Sequence, residues 1–288
     1  MNRKNQELVY FTILRGCAGL VVAVLAIILL FLLVNGLGKI SWSFLTENPR
    51  ANSSGALVDG GILSPIMGTI YLMLLVFGVS IPIGVLGSVF LVEVLGRKYH
   101  RVSRIWWIVV NNLAGVPSIV YGLLGVALFV TMLQFGLSLI AAGMTLALMV
   151  LPIIMVATRE ALEAVPNSLR EASIALGATK WQTIRHHIMP YSASGILTGT
   201  ILSLSRAGGE TAPILVTGAT MTALIPSALG EPFQAIPYYI YQMGVNTADI
   251  DKAYPNAYGA ALVLLTIVVL MNFVAIYLRN RYRKKYRW

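Results

Sequence analysis

The chain has 288 residues, of which 57% are hydrophobic and only 11% are Asp, Glu, Lys or Arg, and its formal net charge is +10. Soluble domains average about 25% charged residues, so the composition excludes a soluble enzyme and a disordered chain and marks a polytopic membrane protein. The single cysteine, Cys17, excludes an internal disulfide.

Charged residues punctuate the chain, and the uncharged runs between them are the predicted spans, each needing about 20 apolar residues. Span one, 16–34, lies in the uncharged run between Arg15 and Lys39. Its apolar stretch is longer than a signal-peptide core, and Gly36-Leu37-Gly38 is a weak cleavage site, so it reads as a retained anchor. Span two, 65–92, starts at Ser64-Pro65, with Ser as the expected N-cap and Pro at the first helical position. Pro82 is expected to kink it. No charge occurs between Arg104 and Arg159. That run is too long for one helix, and a turn at Gln134-Phe135-Gly136 divides it into spans three, 105–131, and four, 137–158. Span five, 191–216, follows Pro190, and span six, 254–278, fills the run between Lys252 and Arg279. The expected fold class is all-α: one transmembrane domain of six helices over residues 1–288.

Seventeen of the 21 Lys and Arg residues fall on the side that holds both termini and the segment Arg159–Pro190. Only Lys39, Arg50 and Lys252 fall on the other side, and Arg206 falls inside a span. The positive-inside rule therefore places both termini in the cytoplasm. It explains the charge without nucleic acid, and the basic tail is expected to meet lipid headgroups. Two loops on the other side are long. One carries Asn52-Ser53-Ser54, an N-glycosylation pattern. The other, Thr222–Pro255, carries Phe233, Pro237, Tyr238, Tyr239 and Tyr241, expected as an interfacial helix or a surface for an extracytoplasmic partner.

The segment Arg159–Pro190 is the most informative. Ser168-Leu169-Arg170-Glu171 and Thr179-Lys180-Trp181-Gln182 are two capping-box patterns, and Gly177 between them suits a left-handed helix end. They predict two short helices over 168–189, joined at a glycine hinge and stopped by Pro190. Spans on both sides argue against a DNA-binding helix-turn-helix. The arrangement reads instead as a structured loop or as a rigid knob for a cytoplasmic partner, on which Ile184 and Ile188 keep an apolar face available.

The run Glu171-Ala172-Ser173-x3-Gly177, ending at Met189-Pro190, resembles the E-A-A-x3-G-x9-I-x-L-P motif of ABC-importer permeases. Ser173, His187 and Met189 stand where that motif has Ala, Ile and Leu. The stretches Val116-Pro117-Ser118-Ile119-Val120-Tyr121-Gly122 and Ser205-Arg206-Ala207-Gly208-Gly209-Glu210-Thr211-Ala212-Pro213 are similar to the PstA-type permeases of phosphate-specific import. The resemblance implies a type I importer permease with a MetI-like fold, in the inner membrane of a prokaryote. Its knob would be a coupling-helix pair, with Arg170, Glu171, Ala172, Gly177 and Trp181 as the coupling residues. It further implies a second, PstC-type permease, a dimer of PstB-type ATP-binding subunits that holds the ATP and Mg, and a PstS-type phosphate-binding protein. No cofactor is expected in this chain, which has no G-x-x-x-x-G-K-[ST] phosphate loop.

Arg206 and Glu210 are the only charges predicted deep in a span. A charge there costs at least about 2.5 to 3.5 kcal/mol. Four residues apart, they share a helix face and can pair. They are either a structural ion pair or a pathway in which Arg206 attracts an oxyanion and Glu210 competes for the guanidinium to release it. Thr211 and, more weakly, Ser118 are candidates for the same path. No catalytic or metal-binding arrangement appears: the three histidines lie outside the spans and lack ligand spacing. An importer for sulfate or molybdate and an ion-coupled carrier are the rival readings.

Overall fold

The computed structural model describes residues 3–51, 59–96, 99–247 and 250–285. The Asn52-Ser53-Ser54 pattern and the basic residues Arg97, Lys98 and Arg287 lie outside the described residues. The chain forms α1 (Arg3–Gly36), α2 (Leu63–Val89), α3 (His100–Ala114), α4 (Ser118–Gly125), α5 (Leu139–Glu163), α6 (Asn167–Ala175), α7 (Lys180–Thr183), α8 (Met189–Gly209), α9 (Ala212–Thr217), α10 (Ile236–Val245) and α11 (Ile250–Lys285). Wider π-helical turns extend α2 over Phe90–Leu95 and α4 over Val126–Met132, and join α7 to α8 over Ile184–Ile188. A two-residue antiparallel ladder, Pro49–Arg50 with Asp59–Gly60, ties down the first long loop.

Among the described residues four helices, α1, α2, α5 and α11, are long and apolar enough to cross a membrane. The bent pair α3 and α4 makes five. Predicted span five, α8, has the length, at 21 residues, but its Ser, Thr and Gly content leaves it less apolar.

Helix α5 is the central post, against which α2, α8, α3, α4 and α9 all pack. Leu146, Val150 and Ile154 of α5 are fully buried in one cluster with Leu72 and Val76 of α2 and Ala207 of α8. Small residues set the spacing. Gly195 lies against Ala161, and a Cβ on Gly199 would come within 2.1 Å of the Ala157 side chain. Close backbone approach of this kind holds helices together in lipid, where burial of apolar surface supplies no driving force. Helix α1 stands at the periphery, packed on α11 through Phe31 edge-on to Tyr258 at 5.5 Å, with most of its apolar surface exposed.

Several sequence expectations change. Ser64 is not a cap: α2 starts at Leu63, and the Ser64 hydroxyl donates to the Thr222 carbonyl 3.0 Å away. Span three is not one rod but two helices bent by 101° at Gly115-Val116-Pro117, where Pro117 restricts the preceding residue and offers no N–H. The turn at Gln134-Phe135-Gly136 forms as predicted, with Gln134 at φ 54° and Gly136 at φ 66°. Span five does not run to residue 216: α8 stops at Gly209, Glu210 is extended, and α9 restarts at Ala212. Most aromatics of the second long loop are not an exposed surface, Tyr241 being the exposed one among those named. Phe233, Tyr238 and Tyr239 are buried, and α10 packs against α11 in a second cluster with Phe44, Ile62 and Met243.

Candidate functional site

Two charged regions stand out on this scaffold, one at the knob end of the bundle and one half-way along it. At the knob, α6 ends in a Schellman geometry. The N–H groups of Gly177 and Ala178 donate back to the carbonyls of Ile174 and Ser173, and Gly177 adopts φ +86°. The Thr179–Gln182 capping box forms in full, with both reciprocal bonds present at 3.3 and 2.8 Å. The Ser168–Glu171 box does not. Helix α6 starts one residue earlier, at Asn167 behind Pro166, so Ser168 already lies inside the first turn.

Pro190 does not end the second knob helix. It sits in the first turn of α8, directly after the π turn Ile184–Ile188, and α7 continues into α8 as one rod. A π turn shifts the hydrogen-bond register, which lets a helix accommodate a residue with no N–H. The knob is thus the near end of the rod that carries Arg206 at its far end. Ser173, which departs from the Ala of the motif, is buried with its hydroxyl 3.0 Å from that of Thr183, linking α6 to α7.

Arg170 is not on the knob's surface. Its side chain is 5% exposed and pairs with Glu93, 3% exposed, at 2.9 Å. The same guanidinium donates to the carbonyls of Leu162 and Val165, at the end of α5, and to Asn167. It adds side-chain donors at a helix end, where intrahelical partners run out and the Leu162 carbonyl also accepts the Val165 N–H, and its charge suits that C-terminus. Arg170 therefore binds α2, α5 and α6 together. Ile184 and Ile188 also face inward, packed with Val89, Leu162 and Val165. The knob's exposed apolar residues are instead Ile174, Leu176 (90% exposed) and Trp181, beside the exposed Glu171, Ala172 and Gly177. Nothing in the sequence paired Glu93 with Arg170 across 77 positions. The available signal was a lone carboxylate at the end of an apolar span.

Along the bundle, α8 and α5 run antiparallel in the register set by Gly195 on Ala161 and Gly199 on Ala157. Continuing that register brings Arg206 level with about Val150, the middle of α5, which itself rises about 1.5 Å per residue. Arg206 Nε donates to Glu210 Oε1 at 3.3 Å, with the two side chains 51% and 18% exposed. Glu210 is the cap beyond the last helical turn rather than a member of it, so the pair closes across a helix break. Thr211 is half-buried at the start of α9. Helix α4 packs on α9 through Gly122 against Pro213. Ser118, half-buried one turn earlier, thus belongs to the same neighbourhood, though no bond joins it to the pair among the described residues. Arg206 continues an exposed stripe of Tyr191, Thr198 and Leu202 down α8.

A guanidinium half-exposed at mid-depth of an apolar bundle is costly unless it meets water, an anion or a second chain. Those are the three surroundings this geometry can serve. Among the described residues no group of His, Cys, Asp and Glu has the proximity to hold a metal ion.

The sequence profile of the family described as binding-protein-dependent transport system inner membrane component matches residues 80–288. The chain is similar to the probable ABC transporter permease protein YqgI of Bacillus subtilis, at 29% identity over 99% of both chains. It is 34% identical to the phosphate transport system permease protein PstA 1 of Mycobacterium tuberculosis, over 76% of this chain and 71% of that one. In fold it resembles a chain of a bacterial alginate ABC transporter crystallised with its alginate-bound periplasmic protein, with a TM-score of 0.68, 16% identity and 96% of each chain covered.

Proposed function

This chain belongs to the inner-membrane components of binding-protein-dependent transport systems, and on that premise we propose that it is the permease subunit of an ABC importer that carries inorganic phosphate into the cytoplasm. The relatives named as phosphate permeases supply the cargo. The observation that carries the mechanism is Arg206, charged, half-exposed and level with the middle of α5, with Glu210 at 3.3 Å. Arg206 draws the oxyanion through charge-assisted hydrogen bonds. Glu210 competes for the same guanidinium, so the anion is held weakly enough to leave. Thr211 offers a hydroxyl beside them, and Ser118 extends the path on the neighbouring α4.

The chain supplies the path and a lever, and a separate ATPase subunit, holding ATP and Mg, supplies the energy. That subunit receives the knob through Glu171, Ala172, Gly177, Trp181 and the exposed Leu176. Arg170 acts from behind that surface by holding the knob to α2 and α5. Because α7 and α8 form one rod, displacing the knob displaces Arg206. Nucleotide acts by favouring one of two membrane states through its differential affinity for them. A second, similar permease covers the exposed stripe of α8, and a soluble phosphate-binding protein delivers cargo to the far side. Both termini lie in the cytoplasm, consistent with the distribution of Lys and Arg.

Labelled phosphate and sulfate uptake, in cells with and without the gene and in cells carrying Arg206→Gln, tests this reading. The expected result is selective loss of phosphate uptake in the deletion and in Arg206→Gln, with the variant present in the membrane at normal level. Normal uptake by Arg206→Gln makes the pair structural. Loss of sulfate uptake instead keeps the importer and changes the cargo.

A further inference from the structure

A cavity of about 540 Å³ opens beside the knob, away from Arg206, between the end of α2, one face of α3, the end of α5 and the start of α6. Its volume falls in the range of about 300 to 1,000 Å³ typical of small-molecule sites. Three arginines and two glutamates line it, so arginines outnumber carboxylates by one. Glu93 is taken up by Arg170, whose donors also serve the end of α5. Glu163 is taken up by the Nε of Arg159 at 2.7 Å.

What remains is donor capacity. The guanidinium of Arg159 lies over the Trp107 ring, 4.7 Å from its centroid, which fixes its plane. Its terminal nitrogens have no hydrogen-bond partner among the described residues. Arg104, one helix away, has only a long 3.5 Å contact with His100 Nε2 among the described residues. The Asn111 amide lines the same space. Two guanidinium groups held on separate helices around one cavity make a phosphate-type recognition site, since their planar forks match phosphate oxygens.

The surroundings favour a particular carrier of that phosphate. Helix α3 turns His100, Arg104, Trp107 and Asn111 toward the cavity at spacings of three and four. Its other face exposes Val102, Ile105, Trp106 and Val109. A polar cavity beside an exposed apolar helix face, at the bundle end that carries most of the basic residues, suits a headgroup whose acyl chains lie along that face.

We propose that the cavity between α3 and α5 is a binding site for a phosphate group, read by Arg104 and Arg159 and supplied by an anionic phospholipid of the adjoining leaflet. The site is separate from the Arg206 path and does not depend on which cargo that path carries.

The test is native mass spectrometry of the full-length chain in mild detergent, titrated with phosphatidylglycerol, with phosphatidylcholine of the same chain length, or with inorganic phosphate. Phosphatidylglycerol is expected to bind more tightly than phosphatidylcholine. The Arg104→Gln/Arg159→Gln chain is expected to lose at least about tenfold in affinity, as fits the removal of hydrogen bonds to a charged group. Arg104→Gln alone, at an exposed position that risks no misfolding, is expected to weaken binding in the same direction. Binding of inorganic phosphate that displaces the lipid and is lost in Arg104→Gln upholds the site and assigns it to the free anion. Equal affinity for the two lipids together with no phosphate binding overturns the proposal, as does an Arg104→Gln chain that binds like the wild type. Phosphate binding abolished by Arg206→Gln but untouched by Arg104→Gln belongs to the transport path and also overturns it.

Discussion

The Glu93–Arg170 and Arg206–Glu210 ion pairs have the same chemistry and opposite surroundings. Glu93 and Arg170 are buried, come from helices 77 residues apart, and share their hydrogen-bonding capacity with the end of α5. Arg206 and Glu210 are neighbours across a helix break, and the arginine is half-exposed at mid-depth of the bundle. The first pair is spent on the protein itself, for every strong donor of Arg170 faces a carbonyl, an amide or a carboxylate. The second is open on one side and can be competed for. A charge is available for transport only where the fold has not already satisfied it.

The largest effect is expected where that contrast is broken at the buried pair. Arg170→Met strands Glu93 without its partner, and breaking a buried pair costs about 3 to 5 kcal/mol. Thermal unfolding of the purified chain should show the loss, and membrane levels should fall with it. Adding Glu93→Leu should recover most of the stability, because replacing both charges by apolar groups is often neutral. A double variant as unstable as the single one would mean that the carbonyl contacts of Arg170 matter more than its charge.

A smaller effect is expected at the knob hinge. No atom lies within 4 Å of where a Cβ would stand on Gly177, so Gly177→Ala meets no steric obstacle and pays only for its φ of +86°. That cost is about 1 to 2 kcal/mol. Phosphate moved per ATP hydrolysed, measured in the assembled transporter, should fall in that variant while α8 stays folded. Unchanged coupling would show that the knob's orientation is held by the Ser173–Thr183 and Arg170 contacts alone.

Arg206→Gln should cost less stability than Arg170→Met, because Arg206 is half-exposed whereas both partners of the Arg170 pair are buried, while removing uptake. Unfolding and uptake measured on the same preparation check this, and a destabilisation as large as that of Arg170→Met would erase the distinction between the pairs.

The smallest effect belongs to a third carboxylate, at the end of the bundle opposite the knob. The N–H of Ser227 and then its hydroxyl donate to Glu231 and hold its carboxyl below the ordinary value of 4.5. A depressed carboxylate contributes stability above its unfolded value and loses it as pH falls through the folded value. The protection of the loop amides around Ser227 against hydrogen exchange, taken relative to their intrinsic rates at each pH, should therefore fall only on acidification below that ordinary range, and Glu231→Gln should remove the dependence. Loss of protection already at neutral pH would point to another group.

Much was legible in the sequence because it depends on local chemistry. The turn at Gln134-Phe135-Gly136 and the Thr179–Gln182 box formed where their residue types require them. Gly177 likewise adopts the left-handed conformation for which glycine is suited. The Ser168 box failed because Pro166 starts α6 earlier, and the stop at Pro190 failed because a π turn absorbs the missing N–H. Arg170 read as a coupling residue because it directly precedes Glu171 and Ala172, which are exposed. Its actual partner lies on a helix that the sequence does not bring near.

By itself, then, the sequence determined that this chain lives in a membrane, roughly where its apolar helices run, and that a capped, glycine-hinged pair interrupts them. Those features follow from apolar run length, helix caps and backbone freedom, each a matter of a few adjacent residues. Only the tertiary structure decided which charges are spent and which are open, that α7 and α8 form one rod, and that two arginines frame a cavity beside α3. Those depend on which distant carbonyls, carboxylates and rings come within about 3 to 5 Å, the distances over which hydrogen bonds and cation–ring contacts act, and no local pattern encodes that.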